Sequence, residues 1–177
     1  MNEIKKVNES LIYQGKRLAF KLLALRTPSD DVIEKELVVH PGAIVVVPKL
    51  NNGNYLLLHQ YRYSLNNYIY EVPAGTIDDN ETHLQCAKRE LTEETGFSSS
   101  KMTFLGELYP APGFCDEIQY CYLAEELIPK LGVRDEDELI EVKEFTKDEI
   151  NQLILNNQLL DGKSIAVFYK LFLLGKF

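Results

Sequence analysis

The chain has 177 residues, of which 45% are hydrophobic and 26% charged, with 10 Gly and 7 Pro, a balance that argues against a disordered tail or a fibrous repeat. At this length roughly two-thirds of the unfolded surface is buried on folding, enough for a core that needs no disulfide or structural zinc. Nineteen Lys and Arg against 27 Asp and Glu give a net charge of −8, which argues against nucleic acid as a partner. The same sign makes a phosphate substrate unwelcome unless a divalent cation or local Arg and Lys mediate the contact.

Cys86, Cys115 and Cys121 are odd in number and lack C-x-x-C spacing or a His cluster, so neither a disulfide scaffold nor a zinc ribbon is expected. No run of eighteen apolar residues occurs and the first ten residues carry no apolar signal core, so a soluble, cytoplasmic protein without a membrane partner is expected. No repeat or Pro/Ser linker divides the sequence, which predicts one domain over 1–177, with N-terminal strands in 1–40 and the chemistry in 41–177.

In chain order, Leu18 to Leu25, Ile33 to Val39, Ala43 to Pro48 and Tyr55 to His59 read as strands, with a hairpin turn at Asn51-Asn52-Gly53-Asn54. Ala43 to Val47 is continuously apolar and should be a central strand. From Thr82 to Thr95 the spacing of Leu84, Ala87 and Leu91 predicts a helix facing the core, stopped by Gly96. Strands follow at Thr103 to Leu108, Ile118 to Leu123 and Leu139 to Phe145. Thr146 with Glu149 forms a capping box for a helix to about Leu155, and Ser164 to Leu174 is the last helix, with Phe168 and Leu171 on an apolar face. Strands early and helices late predict an α+β sandwich.

The first helix carries the sharpest chemical signal. Glu90, Glu93 and Glu94 lie at i, i+3 and i+4 and share one face, where like charges repel. Arg89 lies four residues before Glu93 and can pair with it, but one guanidinium cannot neutralise three acids. A hard divalent cation can, and Mg²⁺ suits carboxylate ligands that also hand it to a phosphate. The alternative is an ordinary solvated acidic face.

The flanking residues decide between these. Gly75, Glu81, Arg89, Glu90, Leu91, Glu93, Glu94, Gly96 and Phe97 fit GX5EX7REUXEEXGU, where U is a large aliphatic or aromatic residue, at every specified position. This segment resembles the signature of the Nudix hydrolase family. The resemblance implies a Nudix-type α/β/α sandwich with a mixed central sheet, preceded by an antiparallel N-terminal strand region. It also implies a loop-helix-loop that holds Mg²⁺, with Mn²⁺ as a substitute, against a diphosphate. By the same resemblance Glu90, Glu94 and the backbone carbonyl of Ala74 would be metal ligands, and Glu93 a ligand or base.

Residues outside the signature bear on the substrate. Glu71 to Gly75, the stretch Ala111 to Glu117 with Pro112 sixteen residues beyond Gly96, and the acidic run Asp135 to Glu138 resemble the ADP-ribose pyrophosphatase branch. That similarity implies a general base at Glu136 or Glu138, with Glu93 as the competitor, and substrate contacts from Arg62, Lys35, Glu36, Pro112, Gly113, Phe114 and Glu117. It implies hydrolysis of ADP-ribose to AMP and ribose 5-phosphate by a homodimer whose N-terminal strands complete the partner's pocket. Two departures from the branch stand out: Lys35 where an arginine is usual, and Lys16-Arg17-Leu18 where an aromatic would stack on the base. They leave open another nucleoside diphosphate sugar, such as GDP-mannose, as substrate. A nucleotide sensor without turnover is the non-enzyme alternative. His40, His59 and His83 are scattered and read as structural hydrogen-bonders.

Overall fold

The structure, a computed structural model, describes residues 3–132 and 139–177. By its internal packing the chain divides into two compact units, Met1–Gly42 with Tyr109–Ile118, and Ala43–Leu108 with Gln119–Phe177.

In the first unit β1 (Lys5–Gln14), β2 (Ala19–Arg26) and β3 (Val32–Val39) form an antiparallel sheet in that order. Gly15 turns β1 into β2, its N–H donating to the Leu18 carbonyl at 2.8 Å. Asp30, at φ 72°, turns β2 into β3, and Arg26 pairs with its carboxylate at 2.8 Å. The segment Tyr109–Ile118 lies along the β3 edge: Val38 donates to the Phe114 carbonyl at 2.7 Å, and Asp116 Oδ1 accepts the His40 N–H at 2.8 Å.

The second unit holds β4 (Ala43–Pro48), β5 (Tyr55–Arg62), β6 (Asn67–Glu71), β7 (Ala74–Thr76), α1 (His83–Thr95), β8 (Phe97–Leu108), β9 (Gln119–Pro129), β10 (Ile140–Phe145), α2 (Lys147–Leu155) and α3 (Gly162–Leu173). Its larger sheet runs β7-β4-β9-β8 and is mixed, β4 pairing parallel with β9 and all other neighbours antiparallel. A second, antiparallel sheet runs β10-β5-β6. The turn between β4 and β5 closes at Leu50–Asn54 as the sequence predicts.

The apolar run of β4 is buried on both faces, which is why it does not alternate. Ile44 and Val46 pack with Cys86, Ala87 and Leu91 of α1. Val45 and Val47 point the other way, into a cluster with Ile150 of α2 and Val167, Phe168 and Leu171 of α3. Helices on both faces of a mixed sheet make this unit the α/β/α sandwich that the sequence implied.

Two expectations need correction. Leu84 does not face the core: it is 37% exposed, and Cys86 takes the inward place in the first turn of α1. The strand expected from Thr103 begins at Phe97, because Ser98, Ser99 and Lys101 pair with β9 despite their polarity. All three cysteines are free, and among the described residues no helix is long and apolar enough to cross a membrane.

Candidate active site

The helix that carries the acidic stripe is cut to length by its ends. Thr82 caps the N-terminus, its hydroxyl accepting from the Gln85 N–H while Gln85 Oε1 accepts the Thr82 N–H at 2.9 Å. Gly96 closes the C-terminus at φ 76°, a left-handed conformation that favours glycine, and donates to the Thr92 carbonyl at 3.0 Å.

Between these caps the acids do not form a solvated face. Glu94 is 1% exposed and Glu90 9%. They stand at helical spacing from Ala87 and Leu91, so the inward stripe of α1 is apolar against β4 and anionic against β7. Glu94 Oε2 accepts the Ala74 N–H at 3.0 Å. Glu90 lies over Gly75, where a Cβ would stand 1.9 Å from Glu90 Oε1. The glycine of the signature is therefore required by close approach of a carboxylate.

Arg89 ties the signature together. Its Nε and Nη2 donate to Glu81 at 3.0 and 2.9 Å, and Nη1 donates to Glu90 Oε1 at 2.7 Å and Glu93 Oε2 at 3.0 Å. Nη2 also reaches the Thr76 carbonyl at 3.3 Å. The hydrogen bonds from Arg89 hold the Glu81 carboxyl below its usual range. In turn Glu81 first, and then the charge of Glu90 and the hydrogen bonds to Glu93 and Glu90, outweigh burial and push Arg89 higher still. The sequence showed the Arg89 pairing with Glu93. It did not show that Glu81 is the residue that clasps the guanidinium.

Three carboxylates, Glu81, Glu90 and Glu93, thus share one guanidinium, with Asp78 Oδ2 3.5 Å from it, while Glu94 is held by the Ala74 amide instead. Carboxylate oxygens on one helical turn, the Ala74 backbone beside them and the absence of a Cβ at Gly75 fit a hard divalent cation. Among the described residues no three His, Cys, Asp or Glu side chains are drawn together as a ready-made cage, and Arg89 bridges Glu90 and Glu93 instead.

Next to this helix lies a network that sequence reasoning missed. Glu71, 1% exposed, receives Arg62 Nε at 2.7 Å and Nη2 at 2.6 Å, and Lys163 Nζ as well. Burial opposes the charge on Arg62, but the hydrogen bond to Glu71 and the charges of Glu71, Glu94 and Asp161 hold it above its ordinary value. The guanidinium expected to meet a phosphate is thus already held by a carboxylate, and its side chain remains 37% exposed. Asp161 is the N-cap of α3, its carboxylate accepting the Ser164 N–H at 3.0 Å. The Lys163 to Glu71 pairing spans 92 residues and leaves no local signal.

The remaining expected residues fall into three groups. Lys35 and Glu36 are neighbours on β3 and are exposed, and Pro112, Gly113, Phe114 and Glu117 belong to the segment bonded to that strand at Val38, so all six fall in the first unit. The second unit gathers Ala74, Glu90, Glu93, Glu94 and Arg62. Glu136 and Glu138 lie outside the described residues. The histidines are structural: His40 Nδ1 accepts the Gly42 N–H, His59 packs on Tyr68 and Tyr70, and His83 stacks on Tyr120 and bonds Tyr122.

Residues 39–168, well over half of the chain, match the model of the NUDIX domain. The chain belongs to the Nudix family. Two curated relatives match nearly end to end. The ADP-ribose pyrophosphatase of Bacillus subtilis is 34% identical over 164 residues, covering 92% of this chain and 89% of that one. The methanol dehydrogenase activator of Bacillus methanolicus is 35% identical over 170 residues, covering 94% and 92%. Among solved structures, one titled as an ADP compounds hydrolase superposes with a TM-score of 0.88 at 20% identity, covering 100% of this chain and 98% of its own, and shares the Nudix fold. Nudix pyrophosphatases work with divalent metal ions, in keeping with the donor set on α1.

Proposed function

We propose that the chain hydrolyses the pyrophosphate bond of ADP-ribose, giving AMP and ribose 5-phosphate. One observation carries this: Glu90 and Glu94 are buried against Ala74 and Gly75 of β7, beside Glu93, in a Nudix domain whose acidic turn is complete. The near full-length likeness to an ADP-ribose pyrophosphatase supports the choice of substrate.

Glu90, Glu94 and the Ala74 carbonyl would hold Mg²⁺, with Mn²⁺ as a substitute, and the bound cation would neutralise charge on the diphosphate oxygens. Arg89 Nη1 donates to both Glu90 and Glu93 and so orients the two carboxylates. In the reaction one water oxygen bonds to a phosphorus, the bridging P–O bond breaks, and its electron pair leaves with the departing phosphate. A carboxylate takes the proton of the attacking water. Glu93 is already engaged by Arg89, so Glu136 or Glu138 is the better base. Lys35, Glu36, Phe114 and Glu117 would contact the sugar and nucleoside ends.

Another nucleoside diphosphate sugar is the second reading, favoured by Lys35 and Arg17 standing where a planar fork and an aromatic are usual. Incubating the chain alone with ADP-ribose, NADH, ADP-glucose and GDP-mannose, with Mg²⁺ or with EDTA, separates the two. ADP-ribose should be cleaved fastest and EDTA should stop the reaction. No turnover of any compound, with Glu90 and Glu94 intact, would leave the sensor reading.

A further inference from the structure

We infer that the first turn of α3 is a positioning clamp for the Glu94 carboxylate, built from Lys163 and Ser164 and acting through residues 71–74. The inference rests on the reading of Glu94 as a metal ligand.

Each residue of this short segment is held at a different point. Lys163 and the fork of Arg62 grip the Glu71 carboxylate. The Val72 N–H donates to Ser164 Oγ at 2.9 Å, the Pro73 carbonyl accepts the Val46 N–H at 2.9 Å, and the Ala74 N–H donates to Glu94 Oε2 at 3.0 Å. Residues 71–73 are thus fixed by α3, β5 and β4, and the next amide is the one that orients the candidate ligand.

The α3 end is itself preset. Asp161 Oδ2 accepts the Ser164 N–H at 3.0 Å and its hydroxyl at 2.5 Å, which leaves the hydroxyl oxygen to accept from Val72. Lys163 is tethered to the same Asp161 oxygen at 3.0 Å while it reaches Glu71. Ser164 is fully buried, and Val167, Phe168 and Leu171 lock the helix into the core around Val45 and Val72.

The charges of this cluster point to placement rather than field. Arg62 and Lys163 balance Glu71 and Asp161, so the four add no net charge beside Glu94. Buried ion pairs contribute little to net stability relative to apolar packing, yet they fix geometry. Residues behind a metal ligand that set its orientation change metal affinity by about 10–100-fold when removed.

Mn²⁺ binding by the whole chain, without nucleotide, is the test, followed by calorimetry and by electron paramagnetic resonance below the melting temperature of each variant. Ser164→Ala should weaken Mn²⁺ binding about 10-fold or more. Lys163→Met gives a second arm whose sign discriminates: loss of a positive charge alone would tighten cation binding, whereas loss of the clamp weakens it. Leu159→Ala, which removes packing in the same core cluster, should lower Tm and leave Mn²⁺ affinity unchanged. Wild-type affinity in Ser164→Ala, unchanged or tighter binding in Lys163→Met, or an equal loss in Leu159→Ala overturns the clamp. If the wild-type chain binds no Mn²⁺, or Glu94→Gln binds it as well as wild type, the metal-site reading itself fails. Wild-type binding that Glu94→Gln removes and Ser164→Ala keeps sinks the clamp alone.

Discussion

Gly75 and Glu81 show how fixed positions of the signature translate into single contacts. A methyl group at Gly75 would overlap Glu90 Oε1, so Gly75→Ala must push that carboxylate aside. Moving a group of the reaction centre by an ångström costs about 100-fold in rate. A drop in kcat of about that size is expected for Gly75→Ala in the ADP-ribose assay, with a folded circular dichroism spectrum, and wild-type turnover would show that Glu90 need not lie where it does. Glu81 acts on a different quantity. Arg89 holds its carboxyl below the ordinary value of 4.5, so the pairing stabilises the fold fully above that value and the stabilisation is lost as pH falls through the lower, folded-state pKa. Glu81→Gln should therefore cost about 1–3 kcal/mol near neutral pH, where a partly buried guanidinium loses its fork partner. Urea unfolding of wild type and variant at a series of pH values should show the gap closing only in acid. A gap that is constant down to pH 3 would mean that charge is not what Glu81 contributes.

On the scale of elements, the helix that was easiest to find in the sequence had its inward face read only in part: Ala87 and Leu91 are buried as expected, and Leu84 is not. Its caps, its length and its acidic turn were all legible, because Thr82, Gly96 and three glutamates are local signals. The inward place of Ala87 and Leu91 was legible too, but the burial of Glu90 and Glu94 beside them was not, since periodicity treats glutamates as solvent residues. Strand β1 escaped for a similar reason: register shifts between Lys6 and Asn8 and between Leu11 and Tyr13 break the alternation that marks a strand. Strands β6 and β7 are short and owe their form to their neighbours β5 and β4. The β10 strand and the capping box of α2 at Thr146 and Glu149 were readable because both are local. The general base divides between elements too. With Glu93 Oε2 held by Arg89 at 3.0 Å, Glu136→Gln or Glu138→Gln should lower kcat about 100-fold or more while leaving KM nearly unchanged. Steady-state kinetics decide: full activity in both variants would return the role to Glu93.

At the scale of the whole molecule the question is whether one chain is the functional particle. Strand β1 is an edge of its sheet, and Val7, Leu11, Ile12 and Tyr13 along it are each more than half exposed, an arrangement that leaves both backbone pairing groups and apolar side chains uncovered in the single chain. Proteins blunt such an edge with charge or proline, or they cover it. Here the charged residues Lys5, Lys6 and Glu9 lie in the first half of the strand, and Leu11, Ile12 and Tyr13 in the second half stand without charge or proline beside them along the strand, which supports the proposal that a second copy covers this stretch in a homodimer. Light scattering of the purified chain should then give twice the 20.3 kDa of the monomer. Leu11→Glu, placed on the exposed strand, should return the mass to that of one chain and weaken ADP-ribose turnover, while Mn²⁺ binding at α1, which lies wholly in the second unit, should persist. Loss of the dimer with full turnover would show that the N-terminal strands do not complete a partner's pocket, and a 20.3 kDa particle for the unaltered chain would remove the dimer from the mechanism altogether.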